Sequence, residues 1–329
     1  MATAQPLHNV ATAAGSRSRS GSASQPLRIY GWAVLVWNVL VVLWGALVRA
    51  TGSGAGCGNH WPLCNGEVIP QSPGIHTIIE FTHRMMTGGS GFVVIALLIW
   101  VLRGTAKEHA ARKYVTIATV LLVFEALLGA LLVKLGYVTG NRSVGRVIVL
   151  SVHFTNTLAL LASLTATAWA LSAPGLVRLR LRSAHVIGLL ATIVVGVSGS
   201  LAALGDTLFP ATSLRAAFVQ DFAASAPLIL RLRSVHPVSA IVAAVFVLWL
   251  LVRAAWHGEA SEKRLATIVA GLLAFQFILG LLDLALLAPA WMQIVHLLGA
   301  DLYWIALLLL VFKGAQTSEP LLSTTASSS

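Results

Sequence analysis

Residues 74–102 read GIHTIIEFTHRMMTGGSGFVVIALLIWVL. From Met85 to Leu102 the stretch carries no charged residue. About 20 apolar residues in a helix cross the hydrocarbon of a bilayer, so this segment predicts a membrane span whose first turns stand near the surface. His83 lies just inside it, flanked by Glu80 and Arg84. An ionisable side chain inside a membrane is costly and marks a candidate functional site.

Seven further apolar runs lie at 30–50, 112–136, 146–171, 184–204, 234–256, 264–287 and 290–313, the last two joined at Ala288-Pro289-Ala290. The fold class is therefore an all-α polytopic membrane protein of eight transmembrane helices. Composition agrees: 57% of the residues are hydrophobic and 10% charged, against roughly 25% charged in a soluble domain. The net charge of +11 does not indicate nucleic acid, because no basic run is interleaved with aromatic residues. Lys and Arg lie instead between the apolar runs, where they set topology and meet anionic lipid.

Fourteen of the 22 Lys and Arg fall on one set of loops and tails. This predicts cytoplasmic termini and outward-facing loops at 51–73 and 205–233. Residues 1–28 and 314–329 read as disordered cytoplasmic tails, because they lack the apolar residues a core needs. Between them lie an N-terminal half (29–172), a cytoplasmic linker (173–183) and a C-terminal half (184–313). A mitochondrial transit peptide has a composition similar to the first tail, so the mitochondrial inner membrane is the alternative location.

The two halves look duplicated. Phe124-Glu125-Ala126-Leu127-Leu128-Gly129 is echoed by Phe275-Gln276-Phe277-Ile278-Leu279-Gly280; His83 corresponds to His236, and His153 to His296. Four helices separate the corresponding elements, so the copies keep one orientation, as two pseudo-symmetric four-helix bundles. His8, His109 and His257 fall in tails or loops, His185 at a helix start, and His60 and His76 in or beside the first outer loop. That leaves His83, His153, His236 and His296 inside apolar helices. Zinc wants three or four ligands, whereas heme takes one or two axial ligands and fills its other positions with the porphyrin. Two histidine pairs therefore suggest two hemes. Gly88, Gly89 and Gly91 after His83, and Gly299 and Ala300 after His296, are expected to admit the flat ring.

The halves differ beside the first histidine of each. Glu80 and His83 share a helix face, and the carboxylate suits acid/base work or charge stabilisation; a salt bridge to Arg84 at i+4 is its alternative. Arg233 occupies the matching place before His236, as a propionate partner or as an interfacial anchor. Cys57 and Cys64, with His60 between them, predict a disulfide on the outer face, structural or redox-active; a zinc site is the alternative.

Together these residues resemble the heme A synthase family. The resemblance rests on Arg49-Ala50-Thr51-Gly52-Ser53-Gly54, the Cys57–Cys64 loop, Glu80-Phe81-Thr82-His83-Arg84 and the helices around His153, His236 and His296. It implies an enzyme that oxidises the C8 methyl of heme O to a formyl group by successive hydroxylations, giving heme A for terminal oxidases. By the same resemblance His83 and His153 bind the substrate heme, Glu80 is the catalytic carboxylate, and His236 and His296 hold a heme b cofactor. Heme O synthase and an electron acceptor are the implied partners. The Cys pair looks like the bacterial branch, which implies a bacterial cell membrane. Glu125 fits no role in the resemblance and reads as a proton route or a bond to a loop backbone; Asp283 and Asp301 have no assigned role. The other readings are a di-heme b-type electron carrier, which needs no carboxylate beside a heme ligand, and a heme transporter or chaperone.

Overall fold

The computed structural model describes residues 23–173 and 178–317. Nine helices lie among them: α1 (Gln25–Ala50), α2 (Ile75–Gly104), α3 (Ala110–Lys134), α4 (Val144–Ser172), α5 (Ser183–Leu208), α6 (Leu214–Phe222), α7 (Leu228–His257), α8 (Ala260–Ala285) and α9 (Ala290–Ala315). All but α6 are long and apolar enough to cross a membrane, as the sequence predicts. Most of the expected tails, 1–22 and 318–329, lie outside the described residues.

The edges of the spans differ from the sequence reading in three places. Helix α1 starts at Gln25 rather than after residue 28, because Pro26 sits in its first turn, where a missing N–H costs nothing. Helix α7 starts at Leu228, so Arg231 and Arg233 belong to its first two turns rather than to a loop. At the far end α9 runs to Ala315, and residues 316–317 (β2) pair antiparallel with 178–179 (β1) of the linker. Arg180 N–H also bonds Ala315 C=O, at 2.9 Å. The linker and the start of the last tail are thus backbone-paired.

Helices α1–α4 contact one another around a ring, α1 against α2, α2 against α3, α3 against α4 and α4 against α1. Helices α5, α7, α8 and α9 close a second ring in the same order. The rings meet along α1 and α4 on one side and α5 and α9 on the other. The buried core follows this seam: half of the most apolar window of α9 is buried, against 17% for α3, α7 and α8. On those outer helices Val123, Leu127, Val245, Ile278 and Leu281 are exposed, a surface suited to lipid.

Lipid tails are as apolar as leucine, so helices associate here through close packing and polar bonds. Gly31 lets α1 approach Ala168 and Leu171 of α4. Trp304 Nε1 on α9 donates to Leu158 C=O on α4 at 3.0 Å. Arg49, at the end of α1, crosses the seam: it donates to Ala203 C=O and Thr207 Oγ1 on α5 and to Gln293 Oε1 on α9, at 2.8, 3.0 and 2.9 Å.

Candidate functional site

Helices α2, α4, α7 and α9 all start at the end of the bundle that carries residues 51–74. His83, His153, His236 and His296 lie eight, nine, eight and six residues past the first residue of each. At 1.5 Å per residue all four sit roughly 9–14 Å in from that end.

Each imidazole packs against a glycine on the membrane span before it. A Cβ on Gly45 of α1 would lie 3.0 Å from His83 Cε1, and one on Gly199 of α5 2.9 Å from His236 Cε1. For Gly280 of α8 and His296 the distance is 3.4 Å, and for Gly129 of α3 and His153 it is 4.0 Å. Among the described residues no Nε2 of the four makes a hydrogen bond, while Nδ1 of His83, His153 and His296 is buried without one. His236 Nδ1 lies 3.3 Å from Ser198 Oγ, which meets Ser239 Oγ at 2.8 Å.

This geometry suits iron porphyrin. A metal–imidazole bond of about 2 Å, plus about 1.1 Å from nitrogen to ring centre on each side, puts two axial rings roughly 6.2 Å apart. The centroids of His236 and His296 are 6.3 Å apart, with the rings at 84°. With no hydrogen bond at Nε2 among the described residues, each ring keeps a nitrogen free to ligate a metal. The flanking glycines differ in their surroundings. A Cβ on Gly88 or Gly91 would meet nothing within 4 Å, Gly89 meets Trp37, and Gly299 makes room for the side-chain amide of Gln276.

Glu80 is 3% exposed. Its Oε1 accepts from Arg84 Nη2 at 2.5 Å and Nε at 3.1 Å, and its Oε2 accepts from Cys57 N–H at 2.8 Å. The i+4 salt bridge weighed from the sequence is therefore present. Arg84 also donates to His60 C=O and Leu63 C=O, at 2.8 and 2.7 Å. Cys57 and Cys64 form a disulfide, which removes the thiols that zinc would need. The loop lies so close to α2 that a Cβ on Gly56 would collide with His76 C=O. Thr77 Oγ1 donates to Gly56 C=O at 2.8 Å. The Arg49–Gly54 motif turns the chain into this loop: Gly52 takes φ +65°, and Ser53 Oγ joins Thr51 Oγ1 to His76 Nδ1, at 2.7 and 2.9 Å.

Arg233 has partners that the sequence did not suggest. It pairs with Asp206 at the end of α5 (2.9 Å) and Asp221 of α6 (2.6 Å) and donates to Ala217 C=O at 3.2 Å. This double ion pair ties α6 to α5 and α7. Two acids from segments 27 and 12 residues away could be matched to Arg233 only once α6 was placed. Glu125 lies 3.6 Å from His153 Nδ1 and is held by Asn156 and Thr157. Asp283 Oδ1 and Asp301 Oδ2 are buried and, among the described residues, have no hydrogen-bond partner.

Eight helices long and apolar enough to cross a membrane, carrying four half-buried histidines toward one end, define an all-α multi-pass membrane protein. The sequence profile of the cytochrome oxidase assembly protein family matches residues 28–308, and the chain belongs to that family. It is 45% identical over 295 residues to a protoheme IX farnesyltransferase of Thermus thermophilus, covering 88% of this chain and 48% of that one. It is also 45% identical over 104 residues to a heme A synthase of Alkalihalophilus pseudofirmus, covering 32% of this chain and 35% of the relative. With a heme A synthase of Exiguobacterium sibiricum it shares 34% identity over 141 residues, 43% of this chain and 45% of the relative. The matched stretch spans less than half the length of each of these relatives.

Proposed function

We propose that this protein is a heme A synthase of a bacterial cell membrane. In this reading α1–α4 bind heme O as substrate through His83 and His153, and α5 and α7–α9 hold heme b on His236 and His296. The substrate's C8 methyl is oxidised by successive hydroxylations to a formyl group. Glu80 carries the reading: a buried carboxylate one helical turn before His83, with an arginine at the matching place beside His236. Family membership and the heme A synthases among the relatives support the same reaction.

Bound heme b supplies one-electron transfer. The chain's own residues do the rest. Arg84 and the Cys57 amide fix the carboxylate of Glu80, so it meets the substrate without reorganising. A fixed anion in a water-poor site stabilises positive charge developing on the methyl carbon better than one in water. The disulfide fixes the amide that fixes Glu80. The name of the Thermus relative supports heme O synthase as the donor of substrate. The same name does not make this chain a prenyltransferase, since the match covers 48% of that relative. The loops that carry Cys57 and α6 face outward, and the termini are cytoplasmic.

One observation favours the di-heme carrier instead: both oxygens of Glu80 are already engaged, as in a purely structural ion pair. Chromatography of the hemes extracted from membranes that co-express a heme O source separates the two. Heme B with heme O and heme A supports the synthase. Heme B alone, at two per chain, replaces it with the carrier. His236→Ala or His296→Ala is expected to abolish the heme b spectrum in inserted protein, and an unchanged spectrum in both would end the cofactor assignment.

A further inference from the structure

The second acid of the first ring, Glu125, has a place that the proposed reaction does not use. It projects from α3 into α4 inside the apolar span. Asn156 Nδ2 donates to its Oε2 at 2.6 Å and Thr157 Oγ1 contacts its Oε1. The same Asn156 amide reaches Leu121 C=O, at 2.9 Å, and so is anchored to α3 as well. These two bonds leave Oε1 3.6 Å from His153 Nδ1, a buried nitrogen with no other partner. A closure of a few tenths of an ångström makes an N–H···O bond.

The matching position in the second ring is built from different residues. Gln276 stands for Glu125, Gly299 for Asn156 and Ala300 for Thr157, each of the last two at the same distance in sequence from its histidine. Among the described residues nothing there holds the side chain as a carboxylate is held in the first ring. Gln276 Nε2 is buried without a partner, and so is His296 Nδ1. Three positions thus change together, from a held acid to an unheld amide, at one of two otherwise similar histidines.

We propose that Glu125 is a positioning residue that accepts the Nδ1–H of His153. This bond leaves Nε2 bare to face iron, orients the ring, and makes His153 a stronger electron donor than His296. A carboxylate behind a ligating imidazole raises its basicity, and such partners commonly change affinity or activity 10–100-fold. The inference rests on the reading of His83 and His153 as the substrate-heme pair. Its consequence is electronic: the iron of the first ring has a lower reduction potential than it would with an amide at position 125.

The test is a spectroelectrochemical titration of the purified full-length protein loaded with heme O, with the first-ring component identified as the one that His153→Ala removes. Glu125→Gln, which copies the second ring, is expected to raise the midpoint of that component and alter its electron paramagnetic resonance g-values, with the other component unmoved. Thr157→Val, which loosens the carboxylate, is expected to shift it the same way by less. The second-ring spectrum reports folding; if Glu125→Gln loses it, Thr157→Val decides. An unchanged midpoint and g-values with heme O bound overturn the role of Glu125 alone. Absence of any His153-dependent heme in the unaltered protein overturns the substrate-site reading, and this inference with it.

Discussion

His83 and His153 have acids for neighbours, Glu80 one turn before the first and Glu125 beside the second. His236 and His296 have Ser198 and Gln276 in the equivalent surroundings, and Arg233, which stands in the place of Glu80, is paired with Asp206 and Asp221. What does not differ is how the rings are seated, since all four lie against a glycine of the preceding membrane span. The comparison separates two tasks. Main-chain proximity sets where an imidazole sits, and one or two polar side chains then decide what chemistry its ligand meets. Under the proposed function, two rings that share the first and differ in the second hold two hemes and transform one.

The sharpest way to break the contrast is to neutralise Glu80. Glu80→Gln is expected to lower the heme A to heme O ratio about a hundredfold or more, the scale of a lost electrostatic group, while heme b stays bound. If the residue only braces Arg84, Arg84→Ala will lower the ratio equally and protein yield will fall with it. Normal heme A formation by Glu80→Gln at normal protein level would remove the chemical difference between the rings.

A second contrast is covalent, because Cys57 and Cys64 are the only cysteines of the chain and both lie in the first half. Replacing both with serine is expected to destabilise the first ring by about 2–3 kcal/mol, the loop-entropy scale for so short a bridge. The unaltered protein should take up an impermeant thiol reagent only after reduction and only from the outer face. Labelling without reduction would count against the bond, and labelling from the cytoplasm against the topology.

The shared feature can be graded. Alanine at Gly199 or Gly45 puts a methyl 2.9–3.0 Å from the imidazole, at Gly280 3.4 Å and at Gly129 4.0 Å. Overpacking typically costs 1–3 kcal/mol, so heme binding to the affected ring should weaken about tenfold for the first two. Gly280→Ala should follow, and Gly129→Ala should be nearly silent. Equal losses at all four positions, read from heme content per chain, would show that backbone proximity is not what seats the rings.

The smallest effect concerns how α3 and α8 begin. His109 Nδ1 accepts the Ala111 N–H at 3.2 Å to cap α3, whereas at α8 Glu259 N–H donates to Glu262 Oε2 at 3.2 Å. Burial, and then the charge of Arg112, hold the His109 pKa below its usual value. A lowered histidine pKa keeps the neutral, accepting ring in the folded state. Its stabilisation is complete above pH 6.5 and fades as pH falls toward the lowered pKa. His109→Ala is expected to cost about 1 kcal/mol and to flatten thermal stability over that acid range. A pH profile that the substitution leaves unchanged would rule the cap out.

The eight spans were legible because each is an apolar run long enough to cross a bilayer, and the four histidines because they are rare polar residues in those runs. The Cys pair was legible as a small closed spacing. Helix α6 was not, since nine amphipathic residues in a long loop give no membrane signal. Gly45 and Gly199 were missed because glycines are plentiful in apolar helices, and only contact tells which one faces a ring. The motif pair at Phe124 and Phe275 already contained the other two, Gly129 and Gly280, as its last residue. Glu125 was visible as an anomaly, but its distance to His153 depends on how α3 lies against α4, which periodicity does not encode. The ion pairs of Arg233 were hidden for a like reason, because its carboxylates come from elements that meet only in three dimensions.

The backbone pairing of residues 178–179 with 316–317 bears on the order of events during synthesis. The linker leaves the ribosome well before its strand partner, which follows α9. The first four helices can close their ring while α5–α9 are still being translated, but this strand pair cannot form until α9 has been made. Synthesis through residue 317 is thus what adds a backbone tie between the linker and the far end of the second ring.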